Sequence, residues 1–329
     1  MGLDEVRARM ALREAGLASS VPLTRASSVT NEVWLTDRWV VRVNRTPNQR
    51  LRREAALAEQ LPPEIGYPPV VAYGGTVGAD WLILERQPGE PLARSWPIMS
   101  PYDRRNAIRH FATKLRAVHS APAPKDLPVA ESPPLIGGEA EGSPTERLCD
   151  ALGRLLDMEH VDRRLVEDAM RLVDELSDAL EPWEAEHLVH GDLTFENVMW
   201  DGSRVTAILD FEWARGGPPD LDLDVFLRFC ALPFLHVADD LVPVTHERDY
   251  EKVPWWLAEE YPELFEVPRL YDRLRIYSIA FDAHDLLTYP PKAPAKDLSP
   301  YHAINRLRNT LAETDHLAKL RARSSSSGV

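Results

Sequence analysis

The chain has 329 residues, with 38 Lys and Arg against 52 Asp and Glu, a net charge of −14 and 44% hydrophobic residues. That length is about twice a typical single domain, and the apolar fraction supports a real core, which excludes a disordered tail or a staple-dependent miniprotein. Two cysteines, Cys149 and Cys230, exclude a disulfide framework and a thiolate zinc cluster.

Partners and compartment follow from charge and from segments that are missing. The acidic balance speaks against nucleic acid, whose phosphates want a basic stripe. It allows a cationic ligand, attracted over roughly a Debye length of about 8 Å. No apolar run reaches the length of a membrane helix. The stretch Met1 to Met10 is charged from Asp4 onward, unlike a signal peptide, and Val6 stands where a myristoylation signal wants Ser or Thr. The expectation is a soluble, cytoplasmic protein with no nucleic-acid or membrane partner.

No internal repeat is visible. Residues 3–16 carry Leu3, Val6, Met10 and Leu12 at helical spacing. Glu32 to Leu35 and Trp39 to Val43, joined by Thr36-Asp37-Arg38, read as a hairpin. Residues 48–61 turn helical and stop at Pro62-Pro63. Val70 to Tyr73 and Trp81 to Leu84 read as two more strands, with Gly74, Gly75 and Gly78 as their turn rather than a phosphate loop. Beyond Gln87-Pro88-Gly89 the pattern is mostly helical. Helices are expected at 101–119, 145–181, 221–230 and 269–288, with a Pro- and Gly-rich surface connection at 121–144. Residues 187–213 are strand-like, and 323–329 form a disordered tail.

The chemistry sits in that strand-like stretch. His190-Gly191-Asp192-Leu193-Thr194-Phe195-Glu196-Asn197 follows the apolar Leu188-Val189, and Val205 to Leu209 leads into Asp210-Phe211-Glu212. A strand, a loop and a hairpin would present Asp192, Asn197 and Asp210 from neighbouring loops. Phosphoryl transfer needs such a set: a carboxylate to orient and deprotonate the attacking hydroxyl, and oxygen ligands to hold Mg²⁺ against a triphosphate.

The eight-residue His-x-Asp-x-x-x-x-Asn pattern, with Asp-Phe-Glu after an apolar strand, resembles the aminoglycoside phosphotransferase family, relatives of the protein kinases. The resemblance spans roughly residues 20 to 290. It implies an α+β, bilobal, protein-kinase-like fold: an antiparallel sheet lobe over 1–86 that binds nucleotide, and a larger, mainly helical lobe over 87–329 with the catalytic loop and acceptor pocket. It also implies Asp192 as catalytic base, His190 as brace of the loop, and Asn197 and Asp210 as Mg²⁺ ligands. Arg42 stands where protein kinases place a Lys against the phosphates, and Glu54 would pair with it. As a fork rather than a point charge, Arg42 is a departure from the kinase pattern. Alternation with Val41 and Val43 turns its side chain away from their face. Glu85 and Gln87 match the hinge that meets the adenine edge. Ser28, Thr30 and Asn31, in a loop without glycine, would offer donors to phosphate. Asp222 is the expected structural Asp after Gly217-Pro218-Pro219, with Asp220 and Asp224 as neighbours that compete for the role.

The function implied is ATP- or GTP-dependent, Mg²⁺-dependent transfer of the γ-phosphoryl group to a hydroxyl of a small molecule, with an aminoglycoside or other cationic antibiotic as the acceptor and antibiotic resistance as the role. A kinase of another small molecule (macrolide, homoserine, choline or sugar-amine type) shares every motif, and a nucleotide-binding pseudokinase scaffold is the alternative from another class. A protein kinase fits less well, because Gly217-Pro218-Pro219 arrives too soon after Asp210 and no Ala-Pro-Glu run follows. Residues 239–266 hold nine acids against Arg248 and Lys252. They would either line an acidic acceptor pocket, walled by Trp255-Trp256, or form a solvated face. His284, between Asp282 and Asp285, reads as a satisfied structural histidine.

Overall fold

The computed structural model describes residues 3–26, 32–128, 135–136 and 142–321. Ser28, Thr30 and Asn31, and the tail expected at 323–329, lie outside these residues, as do residues 129–134 and 137–141 of the 121–144 connection.

Helix α1 (Leu3–Glu14) packs on an antiparallel sheet of β1 (Thr24–Arg25), β2 (Glu32–Leu35) and β3 (Trp39–Val43). Helix α2 (Arg50–Ala58) follows, and β4 (Val70–Gly74) and β5 (Trp81–Glu85) complete the sheet in the order β1-β2-β3-β5-β4. The two sheet faces pack differently. Val41, Val43, Trp81 and Ile83 meet Ala8, Ala11 and Leu12 of α1 on one face, whereas Leu82 and Leu84 meet Leu51 of α2 on the other. Strand β3 is therefore buried on both sides at its end, and Arg42 lies on the α2 face, only 8% exposed. The two-residue β1, both positions exposed, is an addition to the expected strands.

The connection after β5 carries β6 (Glu90–Pro91) and the short α3 (Leu92–Ser95) into α4 (Pro101–Ser120). The start of α4 is fixed by Pro101 in its first turn and by Ser100, whose Oγ accepts the Asp103 N–H at 3.1 Å. Its apolar stripe, including Ile108, Phe111 and Leu115, is fully buried in the main core. The single long helix expected at 145–181 is two helices, α5 (Pro144–Leu155) and α6 (Arg163–Leu176). The break is local: His160 takes a left-handed φ of 64°, and Asp162 caps α6 by accepting the Arg164 N–H at 3.0 Å. Ser143 and Glu146 form a reciprocal capping box at the start of α5. Ser143→Ala should cost about 1 kcal/mol of stability, read as a lower urea midpoint at unchanged m-value.

Four short strands then build the central loops: β7 (Leu188–Val189), β8 (Val198–Trp200), β9 (Val205–Ile208) and β10 (Arg215–Gly216). β10 pairs with β7, while β8 lies between β6 and β9. Helices α7 (Asp220–Ala231), α8 (Val253–Glu260), α9 (Leu270–Thr288) and α10 (Ala303–Leu311) complete the helical part. Among the described residues no helix is long and apolar enough to cross a membrane.

Five of the nine acids of 239–266 are paired with arginines that lie outside the stretch. Its carboxylates pair with arginines along α4 and with Arg94: Asp240 with Arg94 at 2.7 Å, Asp249 with Arg104 at 3.0 Å, Glu259 with Arg105 at 2.5 Å and Glu263 with Arg116 at 3.1 Å. Glu260 lies 3.2 Å from Arg105 and 3.5 Å from Arg109. Asp249, Glu259, Glu260 and Glu263 thus fasten part of the stretch to the basic face of α4. Trp256 packs on the core beneath Arg105, whose guanidinium lies 6.0 Å from its ring centroid.

Candidate active site

Three chain segments converge at the open edge between the sheet and the helices. Strand β7 delivers the loop 190–197. Gly191 turns it with a φ of 83°, and a Cβ there would meet the Trp213 carbonyl oxygen at 2.6 Å. Asp222, at the start of α7, holds the same loop by its backbone, accepting the N–H of His190 on Oδ2 and of Gly191 on Oδ1, both at 2.7 Å. His119 Nε2 lies 3.1 Å from Asp222 Oδ2. Burial pushes the Asp222 carboxyl up, but His119 and the loop N–H donors outweigh it and leave it below its ordinary value. The two neighbouring aspartates are spent elsewhere. Asp220 takes a two-pronged grip from Arg273, at 2.6 and 3.0 Å, and Asp224 accepts from Ser278 Oγ at 2.6 Å. Only Asp222 of the three reaches the loop.

His190 and Asn197 together fasten the third segment. The His190 backbone and ring contacts define one tautomer: Nδ1 accepts the Asp192 N–H at 3.2 Å, so Nε2–H donates to the Leu209 carbonyl at 2.8 Å. The Leu209 N–H donates to the Asn197 carbonyl, also at 2.8 Å. Leu209 is thereby clamped on both sides, and Asp210 follows it with a left-handed φ of 61°. A non-glycine residue in that region is held against a conformational preference, which the clamp supplies. Phe211, fully buried, wedges between the His190 ring at 4.5 Å and the Tyr67 ring at 5.9 Å.

Asp192, Asn197 and Asp210 are brought together. Asn197 Nδ2 donates to the Asp192 carbonyl at 2.8 Å and approaches Asp192 Oδ2 at 3.3 Å. Its Nδ2 is so engaged, and among the described residues nothing donates to Asn197 Oδ1. Burial pushes the half-buried Asp192 carboxyl up, against the pull of His190, and nearby Asp210 adds to the rise.

Arg42 closes the site from the sheet. Its Nη1 bonds both oxygens of Glu54, at 2.6 and 2.5 Å, and its Nη2 reaches Asp210 Oδ1 at 3.1 Å. Arg50 therefore does not take Glu54. It donates to Glu212 Oε1 at 3.1 Å and lies over the Trp213 ring, 5.1 Å from its centroid. Burial alone would lower the guanidinium of Arg42, but Glu54 and Asp210 hold it charged, well above its ordinary value. Burial raises Glu54 in spite of Arg42, and burial together with Asp210 pushes Glu212 up to about 8.

Two participants had no signal in the sequence patterns. The Tyr67 hydroxyl donates to Glu54 Oε1 at 2.8 Å, and Arg53 donates to the Ala214 carbonyl at 2.5 Å. Both come from ordinary loop or helix positions, and their partners are set only by the fold. Glu85 ends β5 and Gln87 follows two residues later, with Glu85 exposed and Gln87 half-buried. Among the described residues nothing accepts the Gln87 N–H. His284 stacks edge-on with Trp213, ring centroids 6.3 Å apart. Among the described residues no group of three or more His, Cys, Asp or Glu could by itself cage a metal ion.

A five-stranded antiparallel sheet joined to a helical part, with the catalytic-type loop between them, is the protein-kinase-like architecture of small-molecule kinases. The chain belongs to the APH phosphotransferase enzyme family, whose model matches residues 22–256. No curated protein matches the sequence. Among solved structures, a thermostable mutant of aminoglycoside phosphotransferase APH(4)-Ia in ternary complex with ADP and hygromycin B is 17% identical. Its TM-score is 0.62, over 93% of this chain and 97% of that one. The choline/ethanolamine kinase family protein of Mesorhizobium loti is 18% identical with a TM-score of 0.63, over 98% and 100%. The streptomycin–ATP complex of APH(2'')-IIa is 16% identical with a TM-score of 0.63, over 96% and 98%. At these identities the likeness establishes the fold.

Proposed function

We propose that the chain transfers the γ-phosphoryl group of Mg-ATP to a hydroxyl of a small molecule. The observation that carries this reading is the clamp on Leu209, which sets Asp210 beside Asn197 and Asp192 and under Arg42. Asp192 accepts the proton of the attacking hydroxyl. The hydroxyl oxygen forms the new bond to phosphorus, and the bond from phosphorus to the bridging oxygen breaks, its electron pair leaving on ADP. His190 holds the loop through Leu209. Arg42, oriented by Glu54 and Tyr67, neutralises phosphate charge.

The oxygen set fits Mg²⁺, which uses one or two carboxylates together with substrate phosphates rather than a full protein cage. Asp210 and Asn197 would hold it, and it would supply charge neutralisation at the triphosphate. The Gln87 N–H, with the Glu85 carbonyl, would read the adenine edge or its GTP counterpart, and the resemblance implies Ser28, Thr30 and Asn31 as donors to phosphate. The compartment that goes with this reading is the cytoplasm, which supplies Mg-nucleotide.

The acceptor classes to be compared are aminoglycosides and other cationic antibiotics, macrolides, homoserine, choline and sugar amines, scored by ADP release. Asp210→Asn tests the metal assignment. The variant should need at least about tenfold more Mg²⁺ for half-maximal ADP release, because one of two protein ligands loses its charge. An unchanged Mg²⁺ titration would remove Asp210 from the metal site.

A further inference from the structure

Arg42, Arg50 and Arg53 all reach from the sheet part to the segment 210–214, but they meet different partners there. Arg42 pairs with Asp210 and Arg50 with Glu212, each at 3.1 Å. Arg53, on α2, finds no acid. It shares the segment with a second guanidinium, that of Arg215 on β10.

The two arginines hold successive carbonyls of one loop. Arg53 Nη2 donates to the Ala214 carbonyl at 2.5 Å, and Arg215 Nη1 to the Trp213 carbonyl at 3.1 Å. Each also holds the connection between α4 and α5. Arg53 Nη1 donates to the Pro128 carbonyl at 2.7 Å, and Arg215 Nε to the Ile136 carbonyl at 3.0 Å. Carbonyl oxygens carry only partial charge, and among the described residues neither guanidinium forms an ion pair.

The like charges oppose each other. Burial pushes the guanidinium of Arg53 down. Burial and the Arg53 charge bring Arg215 down to about 10, although Asp222 pulls it the other way. Asp222 cannot serve as its partner, because the N–H groups of His190 and Gly191 and the His119 ring already occupy both carboxylate oxygens. Donors are left over as well. Among the described residues neither the buried Arg53 Nε nor Arg215 Nη2 has a hydrogen-bond partner. Both side chains are half-buried and so keep some contact with solvent. Unpaired like charges and idle donors are both costly, and an oxyanion seated between them relieves both.

Position ties this pair to the active site. A Cβ at Gly191 would lie 2.5 Å from Arg215 Nη1, so that guanidinium rests against the residue before Asp192. Arg215 also pairs with Val189 of β7, the strand that delivers the loop. On the other side, Arg53 is the chain neighbour of Glu54, which holds Arg42. An anion between the two arginines would join α2 to the loops that carry Asp192 and Asp210.

We propose that Arg53 and Arg215 form a second anion site, that its ligand is a phosphate dianion, and that filling it draws α2 onto the active-site loops. Phosphate fits better than a carboxylate. Near neutral pH it brings about two charges to two cations, and three or more oxygens to their separate donors. Binding at this site is independent of the phosphotransfer reading; its coupling to nucleotide rests on that reading.

The test titrates inorganic phosphate and glycerol 3-phosphate into the full chain, by calorimetry and thermal shift, at ionic strength held constant with NaCl. Each titration is run with the nucleotide site empty and again with Mg-AMP-PNP present. Phosphate should bind saturably and raise the melting temperature in both states. It should tighten Mg-AMP-PNP at least about fivefold, with the reciprocal gain in its own affinity. Arg215→Gln should weaken phosphate at least about tenfold while Mg-AMP-PNP still raises the melting temperature. Arg215→Lys keeps the charge without the fork, so it should fold and bind phosphate with intermediate affinity. Tighter binding of glycerol 3-phosphate would support the site and name a monoester, rather than the free ion, as its ligand. No saturable response to either phosphate, an equal response to acetate, or phosphate binding unchanged by Arg215→Gln would overturn the site. Phosphate that competes with Mg-AMP-PNP would place the ion at the nucleotide phosphates and overturn it too. Binding with no change in Mg-AMP-PNP affinity would overturn the coupling. If Mg-AMP-PNP itself fails to bind, the phosphotransfer reading falls, and the nucleotide-free titrations of wild type and Arg215→Gln still decide the anion site.

Discussion

Asp192→Asn should lower kcat/KM by roughly 10²–10⁴-fold, the range in which a general base contributes. The same change should leave Mg-ATP binding and thermal stability nearly unchanged. The stability half follows from the surroundings of the residue. Burial already disfavours the Asp192 carboxylate, so a neutral amide of the same shape relieves a cost. The hydrogen bond that joins the loop to Asn197 runs mainly to the Asp192 backbone carbonyl, at 2.8 Å, and survives the substitution. Loss of rate with retained fold and retained nucleotide affinity separates a base from a structural carboxylate. A variant with full kcat, measured by ADP release at saturating acceptor, would remove Asp192 from the reaction.

What the sequence made legible was the part encoded locally. The β2–β3 hairpin and the β4–β5 pair show as short β-branched and aromatic runs around turn residues, and the alternation around Arg42 shows the face its side chain takes. The spacing of His190, Asp192, Asn197 and Asp210 is local too, because one loop and one hairpin carry it. Interactions between distant residues left no pattern. Arg104 and Asp249 stand 145 residues apart, and nothing local marks the acids of 239–266 as partners of α4. The same holds for Tyr67 with Glu54 and for Arg50 with Glu212. The split of 145–181 was hidden for another reason. Amphipathic spacing runs on through both helices, and only the left-handed turn at His160 and the cap at Asp162 interrupt it. β1 has no signal in the sequence, because two exposed residues carry no burial pattern; they are held by pairing with β2.

Asp222→Ala should be the most damaging single change to the fold of the site, costing about 3–5 kcal/mol in urea denaturation, the range for breaking one side of a buried charged network. Asp222 is 0% exposed and serves three donors at once: the backbone N–H groups of His190 and Gly191, and His119. Alanine leaves all three unpaired in the interior. Asp222→Asn should fall between, since its single carbonyl oxygen can keep one loop N–H while its amide opposes the other. Both variants should lose activity, because the loop that aims Asp192 hangs from these bonds. The acid limb of stability provides a second reading with a definite sign. The folded carboxyl lies below its ordinary 3.8, so the unfolded chain binds the proton first. Its stabilisation is complete above 3.8 and is lost as pH falls through the lower folded value. The wild-type protein should therefore shed this increment below about pH 4, whereas Asp222→Asn should show a shallower acid slope there. Equal slopes in the two proteins would mean that His119 and the loop N–H groups do not hold Asp222 ionised.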